Sequence, residues 1–313
     1  LLRTPGRGDR HRRVRSKATH PTSCPIIYHG PMILGSHLSI AGGTDRALVA
    51  AADYGFDTVA LFVRNQRQWK APPLTDEAAR LFRRTRRRLG ISPVVAHGSY
   101  LVNLAGDQPV RRKSLVAVAD ELDRCGRLGI DYLVMHPGAN PKREQGIARI
   151  AAGLNASIAN CRHRRVKILL ETTSGAGNSI GGRFEDLAAI FEQLDRKGRF
   201  GVCLDTCHIF AAGYDLRTAR AYRQMMAAFD AIIGAARLMA VHVNDSLGDL
   251  ASHRDRHAHI GAGRIGLRGL ANLVNDPRLR NVPMILETPK GTDPAGGDWD
   301  AVNAAALRGA ARA

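Results

Sequence analysis

Eight short apolar runs, at residues 32–35, 58–62, 93–96, 132–135, 166–170, 201–204, 238–243 and 283–286, divide the chain at a period of roughly 30 residues. They are nearly continuous in hydrophobicity rather than alternating, as expected for strands buried on both faces of a parallel sheet. The stretches between them carry the complementary helical signal. Across residues 75–89, Ala78, Leu81, Phe82 and Leu89 recur near helical spacing while the other face is largely arginine. Residues 120–128 precede Gly129, a helix-terminating glycine before the fourth run. Strand–helix alternation repeated eight times predicts an α/β fold closed into a (β/α)8 TIM barrel, a single domain, rather than an open doubly wound sheet. Such a barrel needs about 250 residues, and residues 32–291 are assigned to it.

Potential metal ligands stand at or just after the ends of six consecutive runs: His97, His136, Glu171, Asp205, His208, His242, Asp255, His257 and Glu287. A lone histidine at a strand end is more often a satisfied core residue. Nine imidazoles and carboxylates gathered at one barrel face shift that balance toward metal. Asp205 and His208 lie about one turn apart and can face different ions, and Asp255-Arg-His257 offers an i, i+2 pair on one side of an extended segment. His208, Asp255 and His257 make a three-ligand site with open positions. Imidazole with carboxylate suits Zn²⁺, with Mn²⁺ or Fe²⁺ as substitutes, whereas Mg²⁺ prefers all-oxygen shells. Nine ligands are too many for one ion and suit three, with Glu171 as the expected bridge. Clustered cations of this kind serve phosphoryl transfer.

Charge points the same way. The chain carries 46 Lys and Arg against 28 Asp and Glu, a net +18. About +6 of this falls in residues 1–31 and about +12 in the remainder, an excess that favours a polyanionic partner. Residues 1–31 lack apolar periodicity and are expected to be a disordered basic tail, with a nucleic-acid arm or an organellar targeting segment as alternatives. The five cysteines, Cys24, Cys125, Cys161, Cys203 and Cys207, form no CxxC pair and imply a reduced, intracellular protein. Cys203 and Cys207 flank the sixth strand end and are minor candidates for metal contact. No membrane span is expected. Residues 292–313 are read as a helical segment docked on the barrel.

These motifs resemble the endonuclease IV family of zinc-dependent apurinic/apyrimidinic endonucleases. Gly201-Val-Cys-Leu-Asp-Thr-Cys-His-Ile-Phe-Ala-Ala-Gly-Tyr-Asp215 is similar to one family signature. A second comprises His242-Val-Asn-Asp-Ser246, Asp255-Arg-His257 and Gly261-Ala-Gly-Arg-Ile-Gly266, and Ile285-Leu-Glu-Thr-Pro289 is similar to the last strand. Gly35-Ser-His-Leu-Ser39 with Gly42-Gly43, and Asn65-Gln-Arg-Gln-Trp69, extend the likeness over residues 33–290.

The resemblance implies three Zn²⁺ per chain: one on His97, His136 and Glu171, a second on Glu171, Asp205, His242 and Glu287, a third on His208, Asp255 and His257. It implies a monomeric, cytoplasmic DNA-repair enzyme that incises double-stranded DNA on the 5′ side of abasic sites and clears blocked 3′ ends. A hydroxide between the first two ions, flanked by Glu171 and Glu287, would attack phosphorus, and the third ion would stabilise the departing oxygen. Arg67, Tyr100 and Leu101 match positions that wedge into the duplex while the damaged nucleotide is flipped out. His37 is expected to support a ligand rather than be one, His253 and His259 to be non-ligands, and Trp69 to pack beside Arg67. Departures from the family pattern are Ile209, Gly98 and Ala251, the last replacing a usual glycine in the loop before Asp255. The competing readings are a metal-dependent sugar isomerase or epimerase on the same barrel, and a non-catalytic damaged-DNA-binding protein. The third ligand cluster and the high charge weigh against the first, the intact ligands against the second.

Overall fold

A computed structural model describes residues 32–311. Among them, eight parallel strands form one sheet: β1 (Ile33–Ser36), β2 (Val59–Phe62), β3 (Val94–His97), β4 (Tyr132–Met135), β5 (Lys167–Glu171), β6 (Phe200–Asp205), β7 (Leu238–His242) and β8 (Pro283–Leu286). Each strand lies beside its neighbours in sequence, and β8 pairs with β1 in parallel register. The barrel closes where His37 bridges Ala60 and the Leu38 N–H donates to the Ala60 carbonyl at 2.9 Å. Gly35 sits at this seam, where a Cβ would collide with the Thr58 carbonyl, so only glycine lets β1 and β2 approach.

Helices cover the outside: α1 (Thr44–Asp53), α2 (Asp76–Leu89), α3 (Gln108–Leu128), α4 (Arg143–Ala159), α5 (Phe184–Glu192), α6 (Thr206–Ala212), α7 (Ala219–Ile232), α8 (Gly266–Val274) and α9 (Trp299–Ala310). Local chemistry sets their ends. The Thr75 hydroxyl accepts the Ala78 N–H at 3.1 Å to start α2, and Gly90, at φ 72°, ends it. Gly129, at φ 75°, ends α3 as its position before the fourth run predicts. Asp205 both ends β6 and caps α6, its Oδ1 accepting the His208 N–H at 2.8 Å. The short α6 is not evident from apolar periodicity, because all but its last residue is buried.

Two apolar layers result. Leu34, Leu61, Leu133, Leu170 and Leu286 pack outward with helix residues such as Phe82, Leu122, Ile150, Phe229 and Leu273. Inside the barrel, Ala60, Val95, Val134, Leu169, Cys203, Ala240 and Ile285 form a ring with one member from each of β2 to β8. The α9 helix docks through buried Ala304 and Leu307, and Lys290 Nζ donates to both Ser36 Oγ (2.8 Å) and Asp300 Oδ1 (2.6 Å). No helix among the described residues is long and apolar enough to cross a membrane. The basic tail at residues 1–31 and Cys24 lie outside the described residues.

Candidate metal centre

The ligand positions follow from the interior ring by strand geometry. Side chains two residues apart share a face of a strand, so the residues two beyond the ring form the next layer toward the strand C-termini. From Val95, Val134, Leu169, Cys203, Ala240 and Ile285 this step reaches His97, His136, Glu171, Asp205, His242 and Glu287. From Ala60 it reaches Phe62. The same step from Gly35 reaches His37. His208 comes from the first turn of α6, and Asp255 and His257 from the loop after β7, where residues 257–258 pair with 245–246.

Glu171 stands at the centre, fully buried, with its two oxygens serving different sides. Oε2 lies 3.1 Å from His97 Nε2 and 3.1 Å from His136 Nε2. Oε1 lies 2.8 Å from His242 Nδ1 and 3.5 Å from His208 Nδ1, and Glu287 Oε2 is 3.1 Å from the same His242 nitrogen. Ligand atoms of His97, Glu171, His242 and Glu287 therefore form one group within 4.8 Å; those of His136, Glu171 and His208 form a second, and those of His208, Asp255 and His257 a third. Asp205 falls with Cys207 and His257 instead, its Oδ2 3.6 Å from His257 Nε2. Its other tie, to Asn244 Nδ2 at 2.7 Å, and its cap on α6 hold it on that side.

Three rings are oriented by backbone carbonyls: His97 Nδ1 to Gly98 at 2.8 Å, His208 Nδ1 to Thr172 at 2.8 Å, and His257 Nδ1 to Glu287 at 2.9 Å. A carbonyl on Nδ1 fixes the tautomer that leaves Nε2 free as a lone-pair donor. The Nε2 atoms of His208 and His257 are buried without a hydrogen-bond partner, although Asp255 Oδ1 lies 3.1 and 3.5 Å away. Nitrogens and carboxylate oxygens that converge without hydrogen-bonding geometry fit a divalent cation between them.

The electrostatics agree. Burial alone would raise the Glu171 pKa, yet His242 and His136 hold it well below the usual carboxylate range; Glu287 is held low by His242 and His37 against the same burial. His208 is pushed from 6.5 up to about 10, its burial outweighed chiefly by Asp205 and Asp255. Cys207 behaves differently. Burial pushes its pKa up to about 12 and its Sγ donates to the Arg256 carbonyl at 3.5 Å, the pattern of a structural thiol.

The roles of Phe62, Asn244 and Asp245 around the centre escape sequence reasoning, whereas His37, His253 and His259 are expected from it to be non-ligands. Phe62 is the apolar member of the ligand layer, its ring 4.4 Å from His37, 5.7 Å from His97 and 5.5 Å from Tyr100. Asn244 ties Asp205 to the β8 end, since its Oδ1 accepts the Glu287 N–H at 2.9 Å. Asp245 accepts N–H groups from Gly261, Gly263 and Ile265 at 2.9–3.1 Å and so folds the glycine-rich segment instead of facing the ligands. His37 Nδ1 contacts Glu287 Oε1 at 3.0 Å. His253 Nδ1 donates to the Ser174 carbonyl at 2.9 Å, and His259 stacks on Trp299 at 3.5 Å.

Burial falls off toward the rim. The Asp255 side chain is 45% exposed and that of His136 37%. On this rim Tyr100 is 63% exposed, an unusual position for an aromatic ring, with Leu101 half-buried behind it and Arg67 exposed on the neighbouring loop. A cavity of about 230 Å³ opens beside His97, Tyr100 and His136. Trp69 is partly buried against the core, with Lys113 Nζ 5.8 Å from its ring.

Residues 48–308 match the family described as Xylose isomerase-like TIM barrel. A relative from Chloroflexus aurantiacus, "Probable endonuclease 4", is 47% identical over 277 residues, which cover 88% of this chain and 96% of the relative. The chain belongs to the endonuclease IV family. Another member, "Probable endonuclease 4" of Halorhodospira halophila, is 47% identical over 83% of this chain and 89% of its own length. Among solved structures, endonuclease IV from Thermus thermophilus superposes with a TM-score of 0.79 at 37% identity, covering 88% of this chain and 98% of that one. A D-tagatose 3-epimerase-like protein shares the barrel, with a TM-score of 0.68 at 19% identity, and that likeness extends to the fold alone.

Proposed function

We propose that this protein incises double-stranded DNA on the 5′ side of abasic sites and removes blocking groups from 3′ ends, using three zinc ions held by the nine strand-end ligands. It is a DNA-repair endonuclease of the endonuclease IV family. One observation carries the metal assignment. The two oxygens of Glu171 face separate histidine sets, and His208, whose Nδ1 lies 3.5 Å from Glu171 Oε1, turns its Nε2 toward Asp255 and His257 to form a further group. A sugar isomerase site uses one or two ions and has no need of that third group.

His97, His136 and Glu171 would hold one ion, Glu171, His242 and Glu287 with Asp205 a second, and His208, Asp255 and His257 the third. Bound there, divalent cations supply an ionised water and neutralise phosphate charge. The chain's residues do the rest. The carbonyls of Gly98, Thr172 and Glu287 hold the rings in the ligating tautomer, and Asn244 fixes Asp205 relative to Glu287. His37 braces the Glu287 carboxylate. Tyr100 and Leu101, with Arg67 opposite, would fill the gap left by a missing base and favour the extruded nucleotide. Manganese is a reasonable substitute for zinc with this donor set.

The direct test is a duplex with one tetrahydrofuran abasic analogue, incubated with the metal-loaded protein and with protein stripped by chelator. Incision next to the analogue that disappears on stripping and returns with zinc is expected. Metal-loaded protein that leaves this duplex intact would refute the assignment.

A further inference from the structure

The two segments assigned to the duplex, residues 65–69 and 98–101, are joined by a buried ion pair. Arg64, at the base of the first, and Glu121, on α3, have side chains only 3% and 2% exposed, with Arg64 Nε 3.1 Å from Glu121 Oε1. Each partner also grips one segment. Arg64 Nη1 donates to the Trp69 carbonyl at 3.0 Å and so closes the loop that carries Arg67. Glu121 Oε1 accepts the Ser99 N–H at 3.1 Å, immediately before Tyr100. Ser99 then links the two, its Oγ donating to the Gln66 carbonyl at 2.7 Å and accepting the Leu101 N–H at 3.3 Å. Gly98 packs against the same carboxylate: a Cβ there would stand 3.4 Å from Glu121 Oε2 and 3.3 Å from Met135 Cβ, leaving little slack.

A buried ion pair is weak evidence for stability, because desolvating both charges offsets most of their attraction, and apolar replacements of similar volume are often tolerated. What an apolar pair cannot supply is direction: the Trp69 carbonyl and the Ser99 N–H would lose their partners. We propose that the Arg64–Glu121 pair is a positioning device that fixes the Arg67 segment relative to Tyr100 and Leu101, so that both enter the duplex together, and that it thereby sets discrimination between abasic and intact DNA. This rests on the insertion role assigned above to Tyr100 and Arg67. Neither Arg64 nor Glu121 needs to touch DNA.

The experiment compares wild type, Arg64→Lys, the double variant Arg64→Met/Glu121→Leu, and Tyr100→Ala. Metal content and thermal midpoint are measured, with the ratio of affinities for a tetrahydrofuran duplex and its intact counterpart, and the fluorescence of an aminopurine opposite the tetrahydrofuran. The double variant should keep its metal, with a midpoint lowered by the two orphaned backbone groups, while the ratio falls by about 10-fold or more, since misplacement of a positioned element by about 1 Å can cost that much or more. Arg64→Lys should recover most of the ratio, and the aminopurine signal should follow it. A ratio that survives in the double variant but falls in Tyr100→Ala overturns the positioning role and leaves the insertion reading standing. A ratio unchanged in Tyr100→Ala overturns both. Should the double variant fail to fold or lose metal, Arg64→Met/Glu121→Gln takes its place, keeping an acceptor for the Ser99 N–H while cutting the links from Arg64 to residue 121 and to the Trp69 carbonyl: a fallen ratio supports the positioning role, and a ratio that survives overturns it.

Discussion

Replacing Glu171 by glutamine removes one charge and almost no volume, and its effect can be worked from the contacts. The carboxylate lies 2.8–3.1 Å from three ring nitrogens, those of His97, His136 and His242, at zero solvent exposure. At about 3 Å and an effective dielectric of about 20, one unit of charge interacts with a neighbouring cation by about 5 kcal/mol. Removing one partner from a buried pair costs about 3–5 kcal/mol, a figure of the same size. Each of the two ions expected to share Glu171 should then bind at least about 100-fold more weakly, at about 1.4 kcal/mol per factor of ten. The ion on His208, Asp255 and His257 does not use this carboxylate and should remain. Metal analysis of the dialysed variant should therefore give one ion per chain, with incision of the tetrahydrofuran duplex down by about 100-fold or more. Full metal content with near-normal incision would refute the bridging role, and loss of all metal would refute the independence of the third group.

Metal loading should weaken as pH falls, because a cation must displace the proton that Asp205 and Asp255 hold on His208 up to about pH 10; a pH-independent zinc titration would contradict this. The metal-free fold should show the converse trend. With the His208 pKa raised from 6.5 to about 10, its stabilising proton is fully present below pH 6.5 and is lost as pH rises through about 10, so unfolding midpoints of stripped protein should fall across that window. Tyr100→Ala should weaken binding to the abasic duplex by about 10-fold, in line with about 1–3 kcal/mol for one base–aromatic stack, with little loss on intact duplex; equal losses would leave the ring a structural role only. Ala251 occupies the left-handed region at φ 59°, where a side chain costs about 1–2 kcal/mol. Ala251→Gly removes that strain but costs about 0.4–1 kcal/mol through unfolded-state entropy, so a gain of up to about 1.6 kcal/mol is expected in unfolding measurements; a loss would contradict it.

The division between what the sequence discloses and what it hides follows strand periodicity. Strand ends and ligands are legible together because both depend on a spacing of two: the step from Val95 to His97, from Leu169 to Glu171 and from Ala240 to His242 is a step from the packed interior to the open layer above it. The same rule separates the two cysteines that residue chemistry alone leaves equivalent. Cys203 is a ring member one layer below Asp205, whereas Cys207 sits in α6 among the ligands and is distinguished by its burial and its bond to the Arg256 carbonyl. Contacts that depend on chain crossing are not legible at all. Nothing in local spacing ties Glu121 to Arg64, 57 residues away, or Asn244 to Asp205 and to the Glu287 backbone.

Asp205 answers to two local geometries at once. Its strand position places it in the layer with Glu171 and His242, but it is also the first residue outside a helix, and capping turns its carboxylate toward the His208 N–H. A side chain with two local obligations is oriented by the shorter-range one. This accounts for its grouping with His257 rather than with His242 and Glu287, and it makes Asn244, which holds the remaining Asp205 oxygen at 2.7 Å, the residue on which its approach to a metal depends.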